Sequence, residues 1–160
     1  MQKPPIDAPG VIAFPPLLFF AVVAGGMASH FLAPVPLTPR LTLRIVGVIF
    51  GSIAGAIALW ARAEMVRAGT NVRPDRPSTA VVTLGPYRYT RNPMYLSLCL
   101  LNLAVGLLIC DLSPVALTLA LALILQAGVI VREERYLTGK FGEEYSVIVA
   151  GCAAGYKSHD

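Results

Sequence analysis

Charge is what this chain has least of. Only 14% of its 160 residues are Asp, Glu, Lys or Arg, against about 25% in an ordinary soluble domain. Hydrophobic residues make up 56%, and the mean hydropathy is +0.67. That balance excludes a soluble globular domain and identifies an integral membrane protein. Cysteine is scarce as well. Cys99, Cys110 and Cys152 form no Cys-x-x-Cys pair and have no neighbouring histidine, which argues against a disulfide framework or a metal centre and leaves them as packing residues. No serine, histidine or cysteine stands in a convincing nucleophile setting. Within the long apolar runs no acid or base lies deeper than His30, apart from Arg44 at an edge, so the ionisable residue that a small transporter needs for coupling is missing. A cleavable signal peptide is not expected either. Lys3 is accompanied by Asp7 and three prolines, and no small-residue cleavage site precedes the next polar loop.

What the chain does have is apolar length. Hydropathy marks four spans, about 16–32, 43–61, 94–110 and 114–131, which predicts an all-α integral membrane protein forming one domain over 1–160. Between spans two and three lies a polar loop, 62–93, holding Arg62, Arg67, Arg73, Arg76, Arg88 and Arg91. The positive-inside rule places this loop in the cytoplasm, together with the N-terminus and the tail 132–160. The connector "APVPLTPR" reads as a short extended crossing. Gly47, Gly51 and Gly55, spaced by four, line small residues along one face of span two for close helix packing. Trp60 reads as an interfacial anchor, and Asn102 and Gln126 as polar residues that hydrogen-bond across the hairpin of spans three and four or, in the second reading, face the acceptor's tunnel.

Chemistry concentrates at two places. In "GPYRYTRNPMY", a Gly-Pro turn follows an extended stretch at 79–84 and leads to Asn92-Pro93, a cap and first-turn pair for span three. A helix N-terminus favours an anion, and Arg91 beside it strengthens that preference. The second place is "VREERYLTGKFGEEY", where Glu133 and Glu134 are the first acids after span four. The tight "DLSP" turn makes spans three and four an antiparallel hairpin of roughly equal arms, which sets these acids near Arg91 to Tyr95. Two adjacent carboxylates close to a bilayer are costly unless cations pair with them. A pocket offering an arginine and a helix mouth to an anion, tyrosine rings to an aromatic or cationic group, and a carboxylate to hydroxyls suits a zwitterionic nucleoside such as S-adenosylmethionine.

The motifs "AGTNVRP", "VVTLGPYRYTRNPMYLS" and "REERYLTGKFGEEY" resemble those of the isoprenylcysteine carboxyl methyltransferases and the related phospholipid methyltransferases over Ala68 to Tyr145. The resemblance implies an all-helical membrane bundle whose cytoplasmic loop and last helix enclose S-adenosylmethionine, with a lipophilic acceptor entering from the lipid side. It further implies that Thr79, Ala80, Val81 and Val82 line the cofactor, that Tyr87 packs on it, that Asn92, Pro93, Met94 and Tyr95 hold it, and that Glu133 is its acidic contact. Arg91, Tyr95 and Glu134 are then the candidates for work on the acceptor. The family's Arg-His-Pro-x-Tyr is Arg91-Asn92-Pro93-Met94-Tyr95 here, a form similar to bacterial relatives, which implies a prokaryotic cell membrane.

Two departures bear on the acceptor and the tail. Eukaryotic prenylcysteine enzymes carry an arginine one turn before the acidic contact, where this chain has Val129; that argues against prenylcysteine unless Arg132 or Arg135 substitutes. The tail "SVIVAGCAAGYKSHD" also lacks the basic, Trp-ended close of relatives. Codons for 149–157 read two nucleotides on can spell Gly-Arg-Val-Arg-Arg-Trp-Leu and a stop, so a frameshifted C-terminus is expected, and the nucleotide sequence decides it. The function these residues imply is methyl transfer to a membrane-resident carboxylate, amine or thiol. A four-span transporter and a noncatalytic membrane scaffold are the competing classes.

Overall fold

Prolines mark where the helices begin. In the computed structural model, which describes residues 14–70, 82, 84–139 and 142, α1 (Pro15–Leu32) opens on two prolines, α2 (Arg40–Arg67) follows Pro39, and α3 (Pro93–Ile109) starts on Pro93. Proline fits these positions because its missing amide would have had no intrahelical partner. α4 (Leu112–Leu125) is capped by Asp111, whose Oδ1 accepts from the Ser113 amide at 2.8 Å. Beyond Leu125 the chain widens into a π-turn, Gln126–Ile130, and continues helically, so that the whole run spans Leu112–Gly139. A further short 3₁₀ turn, Gly85–Arg88, precedes α3.

The exterior is apolar. Leu17, Phe20, Phe31, Leu59, Leu119 and Leu123 are between 61% and 77% exposed, a surface that water would not tolerate over so large an area but lipid would. Three helical runs, Pro15–Leu32, Arg40–Arg67 and Leu112–Gly139, are long and apolar enough to cross a membrane. The protein is an all-helical membrane protein. α2 extends three residues before and six after the predicted span, helped at its end by the Glu64–Arg67 pair at 2.8 Å. At 1.5 Å per residue its 28 residues reach about 42 Å, whereas the 17 residues of α3 reach only about 26 Å, less than the hydrocarbon thickness of about 30 Å.

α2 packs mainly on α3, while α1 and α3 both pack on α4. Small residues allow the closest approaches. A Cβ on Gly47 would stand 3.1 Å from Leu108, and one on Gly106 would stand 2.8 Å from the Val115 amide. Gly51 meets Ala104, but Gly55 meets nothing within 4 Å, so the expected glycine face ends one glycine early. Asn102, 1% exposed, bridges the hairpin by donating to the Pro114 carbonyl at 3.1 Å and the Thr118 hydroxyl at 2.9 Å. Cys110 closes α3 at φ +57 and is buried, and Cys99 is half-buried; both are free thiols, and Cys152 lies outside the described residues.

The end of the bundle remote from Arg91 is tied by a latch. Asp111 is fully buried and, besides capping α4, accepts from His30 Nδ1 at 2.8 Å and from the Val35 amide at 3.1 Å. The connector pairs with the same turn: Leu37 donates to the Cys110 carbonyl and Leu112 to that of Val35. One carboxylate therefore joins α1, the first loop and the hairpin. The His30 hydrogen bond holds the Asp111 carboxyl below the usual carboxylate range, against the opposing effect of burial. A carboxyl depressed in the folded state contributes stability that is complete above its unfolded value, about pH 4, and is lost as pH falls through the folded value. Thermal melts of Asp111→Asn should show a lower midpoint at neutral pH and a flatter decline below about pH 4 than the parent; identical acid limbs would remove Asp111 from the account.

Candidate active site

α4 carries two stripes, and their separation builds the site. Leu121, Leu125 and Val129, each no more than 1% exposed, recur every four residues and form a core with Phe19 of α1. Glu133 is the next residue in that series. It therefore arrives half-buried on the inner face, where Tyr95, in the first turn of α3, donates its hydroxyl to Glu133 Oε2 at 2.8 Å. Gln126, Ile130 and Glu134 form the second stripe. It faces the segment before α3, and Arg91 Nη1 donates to Glu134 Oε1 at 3.2 Å. The two adjacent acids thus serve two different partners. Their convergence with the mouth of α3 is what the short hairpin turn predicts.

Tyr87 joins the first pair. Burial pushes its phenol above the ordinary value, and the nearby Glu133 carboxylate pushes it further, so Tyr87 stays protonated as a donor and a ring face. What fixes Tyr87 is the turn two residues before it. Gly85 adopts φ +63, and a Cβ there would lie 2.6 Å from Glu64 Cγ and 2.9 Å from Trp60 Nε1. The Gly85–Arg88 turn is therefore seated directly on α2, against Glu64, which is 9% exposed and held by Arg67 at 2.8 Å. Trp60, at 48% exposure, is partly at the surface and partly a shelf for this turn.

Between the second stripe and the α3 mouth lies a cavity of about 280 Å³, lined among others by Thr90, Arg91 and Asn92 on one side and by Gln126, Ile130 and Glu134 on the other. The expected Asn92 cap is not made. Asn92 stands at the N-cap with φ −130 and ψ 60, its side chain forms no capping bond and lines the cavity, and its own amide donates to the Thr90 hydroxyl at 3.4 Å. Gln126, read from the sequence as either a hairpin bridge or a tunnel-facing residue, also lines the cavity. Pro93 is buried at the first helical position and Met94 is half-buried beside it. Val82 is half-buried, whereas Thr79, Ala80 and Val81 lie outside the described residues, as does the tail from 143 onward.

The model of the phospholipid methyltransferase family matches residues 42–144. The chain belongs to that family. The match runs from the start of α2 to beyond the Glu133–Glu134 pair, so it contains both halves of the site. Membership makes the protein a methyltransferase working on membrane substrates. No curated protein and no solved structure matches the chain.

Among the residues of this methyltransferase, three features escape a reading of the sequence alone. Glu64 has the local signal of an acid between Trp60 and Arg67, but its burial depends on the turn that folds over it. The π-turn has only Gly128 to mark it. The Asp111–His30 contact joins residues 81 apart and has no local signal at all. Among the described residues no group of His, Cys, Asp and Glu could hold a metal ion.

Proposed function

We propose that the protein is an S-adenosylmethionine-dependent methyltransferase of a lipophilic or membrane-resident acceptor, related in its site to the isoprenylcysteine carboxyl methyltransferases. The observation that carries this reading is the Tyr95–Glu133 hydrogen bond, which joins the mouth of α3 to the inner stripe of α4 within reach of Tyr87. These residues fit the cofactor's chemistry. Glu133 offers acceptor oxygens to hydroxyls or a balancing charge to a cation, and Tyr87 and Tyr95 offer ring faces. The α3 mouth, without a cap from the Asn92 side chain, favours a carboxylate. Pro93 and Met94 complete the inner wall, with Thr79, Ala80, Val81 and Val82 proposed as its cover.

S-adenosylmethionine, when bound, supplies a methyl group on a positively charged sulfur. The protein then has to orient and to dry the site. Orientation of two reactants is worth up to about 7–11 kcal/mol, and the packed helix ends provide it without a covalent step. Arg91 is proposed to anchor the acceptor, Glu134 to take up a proton where the acceptor has one to lose, and Tyr95 to relay one, accepting it as its own hydroxyl proton passes to Glu133. The membrane orientation proposed here puts this end of the bundle, with both termini, on the cytoplasmic side, because the arginines of 62–93 concentrate there.

Equilibrium binding of labelled S-adenosylmethionine to detergent-purified protein tests the reading directly. Saturable binding is expected, followed by label appearing in the lipid fraction when a membrane extract is added. A linear, non-saturable uptake of label would instead favour a transporter or a scaffold.

A further inference from the structure

The end of α2 farthest from the candidate active site carries two cations that the fold does not match. Arg40 and Arg44 are both exposed, and among the described residues neither guanidinium makes an ion pair or a hydrogen bond. The described acid at this end, Asp111, is fully buried and already occupied by His30 and by the Val35 and Ser113 amides. Glu64, Glu133 and Glu134 stand at the opposite end, under the Gly85 turn and beside Tyr95 and Arg91. We propose that Arg40 and Arg44 together bind the phosphate of one anionic phospholipid, in the leaflet remote from the candidate active site.

Helix geometry gives the two side chains a single target. Four residues apart, they lie about 6 Å from each other along the axis and about 40° around it. Both can therefore reach oxygens of one phosphodiester, to which each guanidinium offers a fork of donors. Depth points to the same layer of the membrane. At 1.5 Å per residue Arg44 stands about 27 Å from Arg62, and the run 45–61 between them holds no charged residue. That length is close to the hydrocarbon thickness of about 30 Å, so Arg44 marks the hydrocarbon edge and Arg40 lies about 6 Å farther out, among the phosphates. A cation at that edge is costly unless an anion meets it. With the described carboxylates all committed elsewhere, the anion comes from the lipid.

The surroundings suit the rest of such a molecule. Leu41, Ile45 and Val48 flank Arg44 on α2 and are 54% to 74% exposed, an apolar strip for an acyl chain beneath the arginines. α3 ends at Ile109, and the Cys110 thiol donates to the Arg40 carbonyl at 3.6 Å, so Arg40 stands level with the hairpin turn and is not covered by a neighbouring helix. The head group is specified by what it lacks. A phosphatidylglycerol phosphate brings negative charge alone to the pair, whereas a choline or ethanolamine head adds an ammonium that the second guanidinium repels.

The test uses the full chain in dodecylmaltoside micelles, with native mass spectrometry to count bound dioleoylphosphatidylglycerol and dioleoylphosphatidylcholine. The parent should hold one phosphatidylglycerol more than Arg40→Gln with Arg44→Gln, and the same number of phosphatidylcholines. For that additional lipid the parent should prefer phosphatidylglycerol by about tenfold, as two arginines at a membrane surface imply. Arg40→Lys with Arg44→Lys keeps both charges and should keep the additional lipid, bound about threefold more weakly for want of the paired donors. In micelles without phospholipid the glutamine variant should melt at the parent's midpoint, because no contact among the described residues is removed; phosphatidylglycerol should then raise the parent's midpoint above the variant's. Equal phosphatidylglycerol counts in parent and glutamine variant, or an additional lipid that is phosphatidylcholine as readily as phosphatidylglycerol, overturns the proposal. So does loss of the additional lipid from the lysine variant, or a lowered midpoint of the glutamine variant without phospholipid, which would give the arginines a partner within the chain.

Discussion

Glu133→Ala is expected to weaken binding of S-adenosylmethionine by at least ten- to a hundredfold while leaving the helical content unchanged. Glu133 is the last member of the series Leu121, Leu125, Val129, Glu133, and the fully buried residues before it fix its direction. Alanine shortens the side chain without disturbing that stripe, so the backbone has no reason to move. What is lost is an acceptor already aligned by the Tyr95 hydroxyl at 2.8 Å. A hydrogen bond to a charged group contributes about 1.5–3 kcal/mol, and about 1.4 kcal/mol is a tenfold change in affinity. One lost bond therefore weakens binding by roughly ten- to a hundredfold, and a carboxylate that holds two hydroxyls loses twice that in free energy. Tyr95→Phe should be milder, about tenfold, because the carboxylate remains and only its alignment is relaxed. Isothermal titration with circular dichroism as the folding control measures both. Parent-like affinity in Glu133→Ala would disconnect the acid from the cofactor and take away the observation on which the functional reading stands.

The parts of this site that were legible in the sequence owe it to length and charge. Four apolar runs separated by polar stretches locate the helices, because lipid demands apolar length, but not all of their ends: α2 reaches Arg67 and the last run Gly139, six and eight residues past the predicted spans. That Glu133 and Glu134 come near Arg91 and Tyr95 is readable from the short turn at Asp111: two arms of similar length must bring their far ends together. Which acid meets which partner is not readable, because it depends on the phase of α4, and the π-turn at Gln126–Ile130 resets that phase with no strong marker. The Asn92 cap failed for a related reason. Its residue type is right for a cap, but the backbone at ψ 60 turns the side chain into the cavity instead. Gly55 illustrates the limit of periodicity: the buried face of α2 passes from Gly47 to Ala54 and Ala61, and a strict four-residue spacing drifts off it. Glu64 and the Asp111–His30 latch are long-range contacts, made only after the chain has folded back on itself.

Gly85→Ala should separate placement of Tyr87 from stability of the bundle. Two penalties act at once. The residue is held at φ +63, where a side chain costs about 1–2 kcal/mol, and the new methyl group would stand 2.6 Å from Glu64 Cγ. Glu64 has little room to retreat, being 9% exposed and bound to Arg67 at 2.8 Å. The turn must therefore lift from α2, and Tyr87, two residues on, moves away from Glu133. The transmembrane packing of α2 on α3 involves Gly47 and Gly51, far along the helix from this contact, so the main unfolding transition should shift little. Affinity for S-adenosylmethionine is expected to fall by about tenfold, the loss of one aligned partner. A double-mutant cycle distinguishes the two penalties. Glu64→Ala removes the closest contact but leaves the positive φ and the 2.9 Å approach to Trp60 Nε1, so adding it to Gly85→Ala should restore part of the affinity. No recovery in the double variant would mean that backbone strain and the Trp60 contact displace the turn without Glu64; unchanged affinity in Gly85→Ala itself would show that Tyr87 does not depend on its seat against α2.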